Sequence, residues 1–481
     1  MLLIFLLPTY LIRFKAGIPT TLLEVMILMV SVVWFWTGRN EITRRLSKVW
    51  KKGVDSPGRV GYPFGVEAVL WLVVAMVAVG VANFTNQSFG IWKAYFFEPV
   101  LLYLVILNVM GKKDASLSKK LGMIIWPMTL SALAVSLLAV YQKVTGQFIA
   151  NPLWAAAETR RVVSFFGYPN AVGLYVESII FLALGYYFII AKRPGRKENE
   201  GKIVKPEKHG HNHGGGSFFA GFFAAAQNDH RVQKVLLLLT IFLSLLAIIF
   251  AKSVGASLGV GAGFVMFALL YSKKSRHVTL AVLLIAIVSI TVYQPLRHRA
   301  LKYATLNDFS GQVRKAQWLE TEQLLRTGRN WLVGTGLSNY QKAIAPFHRP
   351  GIFIKDYDDS EAQRKLVFNE KYRAAHWQPL EIYMYPHNIV LNFWTELGLV
   401  GLLLFAWFIG KYYFSLWSLA FRLKNAIEVR PVIIGLAAAM VAFLVHGLVD
   451  VPYFKNDLAV IFWLLAALLS LIKLHQPVSR S

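Results

Sequence analysis

Cysteine is absent from all 481 residues, which excludes disulfides, thiolate metal sites and a thiol nucleophile. Acidic residues are scarce as well: 25 Asp and Glu face 51 Lys and Arg, for a net charge of +26. Such a balance usually points to nucleic acid. Here, however, much of the basic excess lies in short segments between apolar runs, such as Arg44-Arg45, Lys51-Lys52, Lys112-Lys113, Lys119-Lys120, Lys192-Arg193 and Lys273-Lys274. That pattern is the positive-inside signature of a membrane protein, so no nucleic-acid partner is expected. The loop sequence Gly334-Thr335-Gly336 lacks the Lys and Ser or Thr that complete a P-loop, which argues against nucleotide binding.

Apolar residues make up 56% of the chain and the mean hydropathy is +0.49, values that indicate an all-α polytopic membrane protein. Twelve apolar runs are expected to be helices, near 1–11, 20–36, 66–82, 91–110, 121–140, 170–190, 235–251, 255–270, 278–292, 389–412, 432–448 and 458–472. The first is short but lacks a cleavage site, and Arg13 and Lys15 follow it, so it reads as a helix rather than a signal peptide. With the basic loops in the cytoplasm, both termini fall there too. The chain then divides into helices 1–9 (1–293), a large extracytoplasmic loop (294–386) and helices 10–12 (387–481).

Two loops are long. The first, 192–233, is a cytoplasmic linker with the tract His209-Gly210-His211-Asn212-His213, whose metal affinity reads as adventitious, and an apolar patch from Phe218 to Ala226. The second, 294–386, holds about 14 Lys and Arg against about 9 Asp and Glu, against the usual bias of outer loops. A basic outer loop calls for an anionic ligand. Within it, Gln312 to Thr327 has the apolar spacing of an amphipathic helix ended by Gly328.

Candidate chemistry collects on this outer side. His387, in Tyr385-Pro386-His387-Asn388, stands where the loop meets an apolar helix, and a neutral imidazole there can take a proton from a hydroxyl. Asn388 is placed to orient the ring or open the helix. Arg314, with Trp318 one turn later, offers a guanidinium for phosphate. Arg160 and Arg161 precede a turn through Tyr168 and Asn170; the pair meets lipid headgroups or holds a diphosphate. Lys252 is either a snorkelling anchor or a further phosphate contact. Gly255, Gly259 and Gly263, four apart, allow close helix packing. Lys93 and Glu98 read as an ion pair within or near the membrane.

In this order the pieces resemble the O-antigen ligase and O-antigen polymerase superfamily of bacterial lipid-linked glycan transferases. The matching elements are Arg161 to Asn170, Ser253 to Ala256, Arg314 with Trp318, and Gly334-Thr335-Gly336 with Tyr340. They continue with Pro386-His387-Asn388, the run Glu396 to Gly401, and His446 with Asp450 and Pro452. One position departs: the family often has Arg where this chain has Val254. The resemblance implies a GT-C-type membrane glycosyltransferase needing no metal or cofactor. It takes a glycan from undecaprenyl diphosphate at the periplasmic face of the inner membrane and joins it to a sugar hydroxyl of lipid A-core, as in lipopolysaccharide biosynthesis. His387 is then the expected general base and Arg314 a catalytic cation. Arg160, Arg161, Lys252 and Arg314 are expected on the diphosphate, supported by Asn388, Tyr168, Asn170, Trp318 and Asp450. A polymerase, a protein O-oligosaccharyltransferase and a lipid-linked glycan transporter are the alternatives.

Overall fold

The computed structural model describes residues 1–16, 18–52, 62–111, 114–191, 229–422 and 428–475. Most of the linker 192–233, with its His tract and apolar patch, and Lys112-Lys113 lie outside the described residues. After a single turn, α1 (Leu2–Phe5), the chain forms α2 (Leu22–Lys52), α3 (Gly65–Val81), α4 (Asn86–Met110), α5 (Leu117–Thr145) and α6 (Asn170–Ala191). There follow α7 (His230–Ala251), α8 (Val254–Tyr271) and α9 (Lys273–Val292), then the loop helices α10 (Gln294–Ala304) and α11 (Phe309–Arg326). The bundle closes with α12 (Ile389–Arg422), α13 (Arg430–Gly447) and α14 (Asn456–Leu474). Ten of these helices are long and apolar enough to cross a membrane, and the apolar α3 has 17 residues, about 26 Å at 1.5 Å per residue. The protein is therefore an all-α, multi-pass membrane protein.

The segment 1–11, expected to be the first span, does not cross. Eleven residues are too few, and Pro8 turns α1 into a 3-10 turn, Leu7–Leu11. A hairpin follows, β1 (Arg13–Ala16) with β2 (Ile18–Thr21). It docks at the end of the bundle that carries the loop 294–386. Lys93 Nζ donates to the Pro19 carbonyl at 3.2 Å, Asn456 Nδ2 donates to Thr21 Oγ1 at 3.2 Å, and the Tyr10 ring lies 6.5 Å from that of Phe166. Alternation from there leaves residues 1–21 at the loop end and the end of α14 at the opposite one, rather than both on one side. Lys93 also pairs with Glu24 at 2.7 Å instead of with Glu98. The Glu98 carboxyl is buried without a hydrogen-bond partner.

In a bilayer, lipid is as apolar as Leu, so small residues that let backbones approach are what draw helices together. The Gly255, Gly259 and Gly263 row of α8 faces α13 in antiparallel register: a Cβ at these positions would meet His446, the Ala442 carbonyl and the Ala438 carbonyl in turn. Around α14, an aromatic cluster joins α3, α4 and α12. Trp71 Nε1 donates to the Tyr453 hydroxyl, which donates to the Tyr95 carbonyl, both at 2.6 Å.

α12 is not one continuous helix. It breaks at Gly398, whose φ of 72° is left-handed, leaving Ile389–Leu397 as a short half-helix at the loop end. The Phe393 and Phe405 rings stack across the break with centroids 4.2 Å apart. The segment Gly334-Thr335-Gly336 lies against this break. Thr335 N donates to the Thr395 carbonyl at 2.6 Å, and Ser338 N donates to Glu396 Oε2 at 2.7 Å. A Cβ on Gly334 would press on the Thr395 carbonyl and Gly398 N; one on Gly398 would press on the Leu332 carbonyl. The two motifs are one joint between loop and helix. Gly398→Ala is expected to cost about 1–3 kcal/mol through the left-handed backbone and this clash, seen as a lowered thermal midpoint of the purified protein.

Candidate functional site

α11 is amphipathic as expected, and two neighbouring residues on it grip the segment ahead of α12. Gln317 Nε2 donates to the Tyr385 carbonyl at 2.9 Å, and Trp318 Nε1 donates to the Pro386 carbonyl at 2.8 Å. With the Gln317 amide so oriented, its Oε1 faces His387 Nδ1 at 3.3 Å. Nδ1 must then carry the hydrogen, which leaves Nε2 as the basic nitrogen. His387 has a φ of 46°, a left-handed backbone that turns the chain sharply into α12. Asn388 caps that helix: its Oδ1 accepts from Val390 N and Leu391 N, both at 3.0 Å, while its Nδ2 donates to the Leu448 carbonyl at 2.9 Å. The rings of Tyr383 and Tyr385 lie 5.1 and 5.2 Å from the imidazole.

His387, Arg314, Gln317, Tyr383 and Asn170 line one cavity of about 160 Å3. The buried Arg314 Nε has no hydrogen-bond partner, and no ion pair to Arg314 occurs among the described residues. A half-buried guanidinium without a counter-ion is costly unless an anion joins it. Behind the cavity runs a polar chain: Arg161 Nη2 donates to Asn170 Oδ1 at 3.3 Å, and Asn170 Nδ2 donates to Asp450 Oδ2 at 3.2 Å. Burial, the largest influence, pushes the His387 imidazole below its ordinary 6.5, and Arg314 adds to this while Asp450 opposes it. Burial alone would raise the Asp450 carboxyl, but His387, His446, Val451 N–H and Arg314 together pull it below the usual range. Burial and the nearby Arg314 charge lower Arg161, which nonetheless stays protonated at any working pH.

The arginine pair thus separates. Arg161 joins Asn170 and also donates to the Ala251 carbonyl at 3.0 Å, beside the Ser253 to Ala256 turn. Arg160 instead points to the Ala155 and Lys143 carbonyls, both at 3.0 Å, as a loop clamp. Lys252 is exposed, with Nζ 3.4 Å from the Thr159 carbonyl, and does not line the cavity. Val254, where Arg was the family pattern, is also largely exposed, while Ser253 caps α8. Tyr168 comes into the cluster through its hydroxyl, 3.4 Å from that of Tyr385.

Three contributors escaped the sequence reading. Gln317 sits three residues after Arg314, a spacing that puts both on one face, and this was the available signal. Lys455 places its ammonium 3.9 Å from the centre of the Tyr168 ring, and burial lowers its pKa. Glu177 pairs with His446 at 2.7 Å inside the bundle, a contact between α6 and α13 with no local signature.

Residues 239–406 match the family model described as O-antigen ligase. This ligase domain supports membership of the O-antigen ligase superfamily. The matched ligase domain contains Arg314, His387 and the joint at Gly334 and Gly398, whereas Asn170, which lines the cavity, and Arg161 and Asp450 behind it lie outside the domain. Membership brings a membrane glycosyltransferase activity of the ligase or polymerase type, with a lipid-linked glycan and a glycan acceptor as partners. A comparison with curated proteins gives no match.

Gln317→Leu keeps the side-chain size but strands the Tyr385 carbonyl and His387 Nδ1. The expected cost is about 1–3 kcal/mol, read as a lower thermal midpoint.

Proposed function

We propose that this ligase-family protein moves a glycan from undecaprenyl diphosphate to a sugar hydroxyl of lipid A-core, at the periplasmic face of the bacterial inner membrane. One observation carries the reading: a histidine held through its Nδ1 and an arginine without an ion pair among the described residues share a single cavity at the loop end. In the reaction, the acceptor oxygen attacks the anomeric carbon and its proton passes to His387 Nε2. The bond from that carbon to the diphosphate oxygen breaks, and the leaving group departs with its electron pair. The anomeric configuration inverts. Arg314, with Arg161 behind it, meets the charge that grows on the diphosphate, a task that fixed cations perform well in a water-poor site. Asp450 and Asn170 hold Arg161 in place, and Gln317 holds the imidazole in its basic tautomer. No metal takes part in this scheme, and Arg160 and Lys252 lie outside it. A polymerase would use the same residues on a carrier-linked acceptor, and the length of the product separates the two readings.

His387→Asn tolerates the left-handed backbone while removing the base. It and Arg314→Ala are each expected to lower transfer from undecaprenyl diphosphate-linked glycan to lipid A-core at least about 100-fold. Full activity in both overturns the mechanism. Arg161→Ala is expected to impair transfer, whereas Arg160→Ala lowers the thermal midpoint with transfer largely kept. Because the base must be neutral and its pKa is lowered, kcat/KM is expected to hold as pH falls to 6.5 and to decline only below it. A decline centred above 6.5 contradicts this assignment.

A further inference from the structure

On the other side of Trp318 lies a second, larger hollow. It occupies about 640 Å3 between α11 and the first turns of α12; Trp318, Trp331 and Trp394 wall it together with Leu319, Leu325 and Leu391, and Lys315, Glu322 and Arg326 stand at its edge. At 100° per residue, the cavity and the groove take neighbouring faces of α11 that meet between Arg314 and Trp318.

We propose that this groove is a saccharide subsite that holds sugar rings of the acceptor beside His387. The proposal rests on the transferase reading above. Tryptophans near a membrane surface commonly form a belt whose indole N–H groups face headgroups and water. Here two of the three are committed inward: Trp318 Nε1 to the Pro386 carbonyl at 2.8 Å and Trp394 Nε1 to the Trp331 carbonyl at 2.6 Å. Those two rings are held as fixed walls, so little of their conformational freedom is lost when a ligand covers them. Flat aromatic walls suit the C–H faces of pyranose rings, and hydroxyls at the ring edge need donors and acceptors together. The rim supplies both, through Lys315 on one side and the Glu322–Arg326 pair on the other. An anionic lipid headgroup has no use for the carboxylate. The groove lies one residue from the base, since the indole of Trp318, one of its walls, fixes the residue before His387. The cations assigned to the donor diphosphate line the cavity or stand behind it, and this leaves the groove to the acceptor.

The test uses the full chain in lipid nanodiscs. Core oligosaccharide freed from lipid A is titrated by calorimetry, and transfer is measured with lipid A-core as the varied acceptor at saturating donor. Trp331→Ala is expected to weaken oligosaccharide binding and to raise the acceptor KM, each about tenfold, while kcat and donor KM change less than twofold. Trp331→Phe restores most of both. A wild-type protein that binds the oligosaccharide but transfers nothing keeps the subsite and sinks the transferase reading. Absence of wild-type binding, an equal rise in donor KM, or an unchanged acceptor KM with a lowered thermal midpoint overturns the subsite; the last result makes the rings a membrane-interface anchor.

Discussion

Two adjacent side chains of α11 hold the stretch from Tyr385 to His387, and the rest of the site is organised around that grip. Gln317 and Trp318 bind consecutive carbonyls, and the amide orientation this forces on Gln317 selects which imidazole nitrogen bears hydrogen. A loop of more than ninety residues would otherwise leave His387 free to wander. Instead the amphipathic helix carries its own cation, Arg314, to the cavity and aligns the histidine in the same docking event. Asn388 then anchors the far side of this turn to the end of α13, so the imidazole is fixed between loop and membrane bundle.

The membrane part contributes by close approach. Glycines of α8 bring α13 near enough that His446 and Glu177 meet in the interior, directly beneath the turn that bears Asp450. Asp450 in turn ties α6 to the outer surface through Asn170 and, one bond further, Arg161. Polar groups from α6, the turn after α13 and the loop are thereby joined in a continuous chain around one small volume. This chain does not need the segments to be near one another in sequence.

Much of this was legible beforehand, for identifiable reasons. Charge bias and apolar run length revealed a membrane bundle with a basic loop, and a histidine at its boundary stood out. Arg314 was visible because it begins an amphipathic helix. Adjacent residues such as Arg160 and Arg161 look alike to any local rule; only the packing of Ala155 and Ala251 around them distinguishes clamp from cavity. Residues 1–11 were apolar enough to pass for a span, but their shortness, the turn at Pro8 and the docking of Tyr10 beside Phe166 show otherwise. The interruption of α12 was hidden because a glycine within an apolar run is consistent with an unbroken helix. Its cause is a loop segment far away in sequence that supplies partners for the broken turn.

That joint also bears on descent. Gly334 and Gly398 both take positive φ near 70°, and each lacks the Cβ that would press on the other's segment. A side chain at either position would strain its own backbone and also press on the other segment. The pair is a single heritable character written at two distant places, and lineages of this fold should keep both or lose both.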